Sequence, residues 1–377
     1  MTSWIRSSDD LRAFVARLEG GRALALDSES DSLHHYKEKV CLLQMAGDRG
    51  EAVLLDPLAV RDLTPLAPVL ADPTVTKVLH GADYDVTTLK RDFGFSFAGL
   101  FDTMIAARFL GLPAIGLQAV AQAELGIALS KDSQKDDWSV RPLSPRQETY
   151  ALADVQHLLA LHAALEAKLK EAGRLEWVLE ESAAVAALPA ARRERDPDAW
   201  QAVKGARKLK RRGLAILREL HAWREARAQA RDVPSFKVLG AETLLALAEA
   251  KPRTPAELKP VRGLPMSVRE NPAEVLAAVA RGLEVPEDAL PVLPKPPARP
   301  AVTDAQKRHE AALRTWRAEE AKRAGIDVSV ILPQRLIDRL TETAPADLDG
   351  LARVEGLRKW RCDAFGPGVL AALRAAS

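Results

Sequence analysis

Within the first 160 residues, short apolar runs of strand length alternate with stretches of helical periodicity, and acids stand where several of those runs end. The runs "ALALD" (23–27), "VCLLQMA" (40–46), "AVLLD" (52–56) and "KVLHG" (77–81) are rich in Val and Leu, as buried strands are. Helical patterns fall near 62–71, 84–92, 102–110, 116–124 and 145–170. This alternation predicts an α/β domain, a mixed sheet flanked by helices. The last of these helices has a defined start, with Ser144 as N-cap, Pro145 at the first helical position and Gln147 three residues after the cap.

Beyond residue 200 the strand signal fades and helices dominate. The stretch "EVPEDALPVLPKPPARP" (284–300) carries six prolines and reads as an extended, semi-rigid spacer. It separates two helical segments that repeat each other at an offset near 93 residues. "AWREARAQARDVPSFKVL" (222–239) parallels "TWRAEEAKRAGIDVSVIL" (315–332), pairing Trp223 with Trp316 and Leu239 with Leu332. "TPAELKPVRGL" (254–264) parallels "APADLDGLARVEGL" (344–357), pairing Gly263 with Gly356. Two tandem domains of one kind are expected.

The acids that end the apolar runs carry the chemistry. Asp27 and Glu29 in "LALDSESDS" are two apart in a strand, so both carboxylates point to one side. Asp85 in "VLHGADYDVTTL" follows His80 by five, at a strand-to-helix junction. Tyr150 and Asp154 in "RQETYALADV" are four apart, on one helix face. Each pattern alone also fits an ordinary strand end, a helix-dipole charge or a core-facing tyrosine. Four carboxylates brought together, however, repel one another and call for cations. Mg²⁺ or Mn²⁺ prefers such oxygen ligands, and two ions about 3.5–4 Å apart suit in-line displacement at a phosphodiester.

The order Asp-x-Glu, His-x₄-Asp, Tyr-x₃-Asp resembles the three motifs of the DEDD-type 3′→5′ exonucleases, in the subclass whose third motif bears Tyr. The resemblance extends through "FDTMIAARFLG" (101–111) and "KDSQKDDWSVRPLSPRQETYALADV" (131–155). In the second stretch, Lys131, Gln134, Asp137, Trp138, Arg141, Pro142 and Leu143 match the ribonuclease D family. The tandem repeats resemble HRDC domains, the second departing further from that pattern through "KWRCDAFG" (359–366). Ser28 stands where the family more often has Thr.

This resemblance implies a ribonuclease H-like exonuclease domain over 1–200 and an HRDC domain over 208–285. A linker over 286–302 and a second HRDC-like domain over 303–377 would follow. It implies two divalent metal ions on Asp27, Glu29, Asp85 and Asp154, with Tyr150 positioning the water. His80 and Gln134 are expected beside the substrate. The implied activity is 3′→5′ trimming of RNA, including tRNA precursors and other structured RNAs with single-stranded ends, to nucleoside 5′-monophosphates. A DNA exonuclease with the same ligands, or a non-catalytic RNA-binding protein keeping the fold, are the rival readings.

Net charge is only +2, but residues 200–231 hold ten Lys/Arg against Glu219 and Glu225. That run forms either a solvated helix face or a polyanion-binding surface, and on the second reading Lys210, Arg211 and Arg212 would touch RNA. With 47% hydrophobic and 28% charged residues the chain has a globular balance. Cys41 and Cys362 are far apart and suggest no disulfide framework. There is no basic-then-apolar leader, no uncharged membrane-length run and no Walker-type loop. His34-His35 lacks partners at zinc-ligand spacing. A cytoplasmic monomer is expected.

Overall fold

Val- and Leu-rich segments pair into one six-stranded sheet in the computed structural model, which describes residues 3–49, 52–130, 132–192, 196–294 and 302–376. Its strands are β1 (Ser3–Ile5), β2 (Ala23–Ser30), β3 (Val40–Gly47), β4 (Ala52–Leu55), β5 (Thr76–Leu79) and β6 (Leu100–Asp102), in the order β1-β4-β3-β2-β5-β6. β3 and β4 run antiparallel, whereas β1–β4, β2–β5 and β5–β6 are parallel, so the sheet is mixed. β1 and β6 have three residues each and carry too few positions for an apolar pattern to reveal them.

Eight helices accompany the sheet: α1 (Ser8–Leu18), α2 (Ala67–Ala71), α3 (Asp83–Phe93), α4 (Thr103–Phe109), α5 (Leu117–Leu125), α6 (Pro145–Gln156), α7 (Leu158–Glu171) and α8 (Leu175–Ala186). The single helix expected over 145–170 is broken at His157, which separates α6 from α7. Ser144 and Gln147 form the capping box that opens α6.

Side-chain alternation along β2 sets the two faces of the sheet. Leu24 and Leu26 pack with Leu11 and Phe14 of α1 and with Val86 and Leu89 of α3. Ala25 faces the other way, among Ala106 of α4, Val120 of α5 and Leu161 of α7. With a period of two, Asp27 and Glu29 continue the Ala25 side. α6 lies over β3 and β4, where Ala151 joins Trp138 and Leu143 against Cys41, Leu42 and Leu54.

Beyond the sheet come α9 (Arg211–Ala230), α10 (Ser235–Val238), α11 (Ala241–Ala250), α12 (Pro255–Leu258), α13 (Met266–Glu270) and α14 (Ala273–Glu284). They are followed by α15 (Asp304–Ala324), α16 (Val328–Ile331), α17 (Gln334–Thr343), α18 (Leu348–Ala352) and α19 (Lys359–Ala375). The repeat is visible in the long-short-medium-short order that opens each set. Gly263 and Gly356 both adopt positive φ, +75° and +81°, where side chains are strained. Of the proline-rich spacer, residues 295–301 lie outside the described residues.

The chain divides into two compact units, one holding 1–29, 40–191 and 300–377, the other 30–39 and 192–299. In the first unit the second helical domain shares a core with the sheet domain. Trp360 stacks on Trp177 of α8, with ring centres 4.7 Å apart and planes at 21°. Glu180 accepts hydrogen bonds from the Lys359 and Trp360 amides, both at 2.8 Å, and so caps α19. Glu181 accepts from Trp360 Nε1 at 3.1 Å and from buried Arg361 at 3.3 Å. In the second unit α9 and α14 carry much of a separate core, with Ile216, Leu217 and Leu220 against Val275 and Val279.

A second anchor fixes the segment before α6. Arg141 donates to Asp56 through Nε and Nη2, at 2.7 and 2.9 Å, and to the Trp138 and Cys41 carbonyls. Trp138 is thereby held at 1% exposure. Burial pushes the Asp56 pKa up, but the Arg141 hydrogen bonds and charge outweigh it and leave it lowered. A depressed carboxylate stabilises the fold above its unfolded pKa, and that stability is lost as pH falls through the lower folded value. Arg141→Met should cost about 3 kcal/mol at pH 7, because it strands a buried charge. The difference from wild type should shrink below the ordinary Asp pKa of about 3.9. Urea unfolding from pH 7 down to pH 3 measures both, and a gap that does not depend on pH would contradict the pairing. Trp360→Ala should lower the urea-unfolding free energy by about 3–5 kcal/mol. A loss under about 1 kcal/mol would contradict the shared core.

Candidate active site

Three elements bring the acids together. The open end of β2 supplies Asp27 and Glu29, α6 supplies Asp154 one turn after Tyr150, and the first turn of α3 supplies Asp85. Carboxylate oxygens of Asp27, Glu29 and Asp154 all lie within 4.8 Å of one another. Asp85, 7% exposed, joins from the α3 side and accepts from Ser28 Oγ at 2.5 Å. Ser28 thus links the two acids that flank it in sequence to the helix that presents the fourth.

The electrostatics follow from that geometry. Burial, followed by the charge of Asp154, raises the Asp27 pKa to about 7. Burial raises Asp154 to about 7 against the opposing hydrogen bond from Tyr150. Glu29 is pushed to about 10 by burial and then by Asp27, Asp154, Asp85 and Asp136. Asp85 is raised well above its ordinary value by burial and by Asp27. The Tyr150 hydroxyl is also raised, by burial and by Asp154, Glu29 and Asp27, and its hydrogen bond goes to Asp154. Its ring lies 6.0 Å from that of Trp138.

The donor set fits hard divalent cations. It is all oxygen, it is partly enclosed, and burial, with neighbouring carboxylates adding to it for Asp27, Glu29 and Asp85, holds its members above the normal carboxylate range. A bound cation reverses that penalty by favouring the charged forms. Zinc has no comparable site among the described residues, where the one cluster with ligand geometry is carboxylate only.

The weaker sequence expectations have other surroundings. His80 Nδ1 meets Thr103 Oγ1 at 2.9 Å, and burial lowers its pKa against the charge of Asp102. Gln134 is exposed in the turn before Trp138, and Lys131 lies outside the described residues. Arg211 donates to the Leu290 carbonyl at 2.8 Å. Arg212 donates to the Leu283 carbonyl at 2.9 Å and to the Val285 carbonyl and Glu287, closing the C-terminus of α14. Both guanidinium groups expected on RNA therefore hold the end of their own domain. Lys204, Lys208 and Lys210 remain exposed, whereas Arg224 and Arg227 pair with Glu225 and Glu274 at 2.9 and 3.0 Å.

Two residues near the acids went unnoticed in the sequence. Asp136, paired with Arg146 at 2.9 Å, adds negative charge against Glu29. Asp102 lies under the turn that presents Asp85 and is taken up below. Neither falls at a strand end marked by a long apolar run.

Fold and acids together define a 3′–5′ exonuclease domain carrying helical repeats, and the comparisons agree. The 3'-5' exonuclease family matches residues 2–170, and the HRDC domain matches 213–279 and 306–373. The chain is 34% identical over 380 residues to a ribonuclease D of Pseudomonas paraeruginosa, covering 99% of this chain and 98% of that one. A ribonuclease D of Granulibacter bethesdensis is 32% identical, over 97% and 91%. The crystal structure of Escherichia coli RNase D, described as an exoribonuclease involved in structured RNA processing, superposes with a TM-score of 0.70 at 28% identity, over 100% of this chain and 99% of that one. The chain belongs to the ribonuclease D family and is a hydrolase of the 3′→5′ exoribonuclease class, in a family of exonucleases that typically use divalent metals. No helix among the described residues is long and apolar enough to cross a membrane.

Proposed function

We propose that this protein shortens structured RNAs, tRNA precursors among them, from single-stranded 3′ ends, with Asp27, Glu29, Asp85 and Asp154 holding two Mg²⁺ or Mn²⁺ ions. The observation that carries this reading is the convergence of Asp27, Glu29 and Asp154 within 4.8 Å, with Asp85 joined through Ser28. When bound, such a cation pair supplies a nucleophile at neutral pH and takes up charge on the departing oxygen. Asp27, Glu29 and Asp154 would grip from the sheet and α6, and Asp85 from α3. The Tyr150 hydroxyl hydrogen-bonds Asp154 one turn away on the same helix. Tyr150 would therefore orient the attacking water by hydrogen bonding, with Asp154 fixing the hydroxyl. Water attacks phosphorus, the P–O3′ bond breaks in line, the new 3′ oxygen takes a proton, and a nucleoside 5′-monophosphate leaves.

The body of the RNA would lie on exposed lysines of the basic run, Lys204, Lys208 and Lys210. Arg211 and Arg212, already bonded to carbonyls, would add positive potential rather than direct contacts. Such binding weakens steeply with salt. Gln134 and His80 would serve the terminal nucleotide, Gln134 directly and His80 by bracing the turn beside Asp85.

The test is digestion of 5′-labelled RNA with a single-stranded 3′ tail, alongside a matched DNA. The expected result is a ladder that shortens from the 3′ end only with Mg²⁺ or Mn²⁺, stops with EDTA and is slower on DNA. Preferred cleavage of DNA would move the assignment to the rival nuclease, and binding without shortening would leave a scaffold. Asp27→Asn should reduce turnover to background yet retain RNA in a gel shift. Tyr150→Phe should lower kcat about 100-fold or more, with KM for RNA little changed. Wild-type turnover in either variant would remove that residue from the site.

A further inference from the structure

We infer that Asp102 is the positioning residue for Asp85: one buried carboxylate fixes the turn from which Asp85 is presented to the cations. The inference rests on the reading of Asp85 as a metal ligand. Asp85 is the third residue of α3, reached from β5 across only His80, Gly81 and Ala82. Any drift of those three residues moves the carboxylate.

The turn does not hold itself in place. Gly81 has φ +73°, and Ala82, the N-cap of α3, has no side-chain oxygen to offer. The amides of Gly81 and Ala82 end instead on Asp102, at 3.0 Å to Oδ1 and 2.8 Å to Oδ2. Asp102 Oδ1 also accepts from Met104 and Ile105 amides, at 2.8 and 3.2 Å, as N-cap of α4. Capping α4 would need only those last two bonds. The bonds to Gly81 and Ala82 cross between neighbouring strands and have no part in capping α4.

Asp102 is itself fixed on every side. It is 2% exposed and sits opposite Leu79 in the β5–β6 register. Its amide donates to the buried Ser182 Oγ of α8 at 3.1 Å. The adjacent Thr103 hydroxyl donates to the Leu79 carbonyl at 3.0 Å and meets His80 at 2.9 Å. Three of these bonds end on Oδ1 and the one from Ala82 ends on Oδ2; an amide in place of the carboxylate can keep the first three but sets its NH2 against the Ala82 amide, which releases the last residue before α3. Orientation of ligands by groups behind them sets metal affinity.

The experiment compares Asp102→Asn, Gly81→Ala and Asp85→Asn with wild type. Mn²⁺ binding is followed by electron paramagnetic resonance of the free ion, folding by thermal unfolding without metal, and turnover across a Mn²⁺ series. Asp102→Asn should weaken Mn²⁺ binding about tenfold or more. Its kcat should recover as Mn²⁺ is raised, with KM for RNA unchanged. Gly81→Ala keeps every charge and should give the same signature, because its Cβ would meet Met104 Cε at 3.1 Å in a backbone conformation strained for a side chain. It also decides the matter if Asp102→Asn fails to fold. If both folded variants bind Mn²⁺ as wild type does, or lose stability and turnover together with no change in Mn²⁺ affinity, Asp102 is structural only and the inference falls. If Asp85→Asn itself keeps wild-type Mn²⁺ binding and turnover, the reading of Asp85 fails first.

Discussion

Burial of four carboxylates converging at the open end of one strand is the constraint around which this molecule is organised. Asp27, Glu29, Asp85 and Asp154 each lie well above the ordinary carboxylate pKa, with burial the first cause for each. Such an arrangement destabilises a fold that has no cation to place there. Two compact helices and a sheet must therefore hold the acids in place against their own field. The anchors around the site do this by fixing the segments that carry the acids.

Three anchors hold those segments. Arg141 ties the segment before α6 to Asp56 and to the Cys41 carbonyl, which fixes Trp138 beneath Tyr150. Ser28 donates to Asp85 from between Asp27 and Glu29. Asp102 holds the turn that leads into α3. Further out, Glu180 and Glu181 on α8 take the start of α19, and Trp177 stacks on Trp360. The departure of 359–366 from the first repeat has a physical reason here, because Trp360 and Arg361 are spent on contacts to α8 and α16. The first repeat uses its own basic residues inward too, with Arg212 closing α14.

Much of this was legible in the sequence because strands and capped helices leave local marks. Val- and Leu-rich runs gave β2 to β5, and Ser144, Pro145 and Gln147 marked the start of α6. Alternation alone puts Asp27 and Glu29 on one side of a strand, and the four-residue step puts Tyr150 and Asp154 on one face of a helix. The 93-residue offset exposed the repeats. What stayed hidden depends on contacts between distant residues. β1 and β6 exist only through their partners, and the break at His157 leaves no proline or glycine to announce it. The fates of Arg211 and Arg212 depend on where carbonyls of 283–290 end up. Asp102 follows only two apolar strand residues, Leu100 and Phe101, and its bonds to Gly81 and Ala82 appear only once β5 and β6 lie side by side.

The central claim is that these four acids form one two-cation site, and anomalous diffraction from crystals soaked in Mn²⁺ tests it most directly. The account predicts two peaks about 3.5–4 Å apart, at the cluster of Asp27, Glu29, Asp85 and Asp154. Peaks elsewhere on the chain, or an empty cluster at Mn²⁺ concentrations that support turnover, would contradict it.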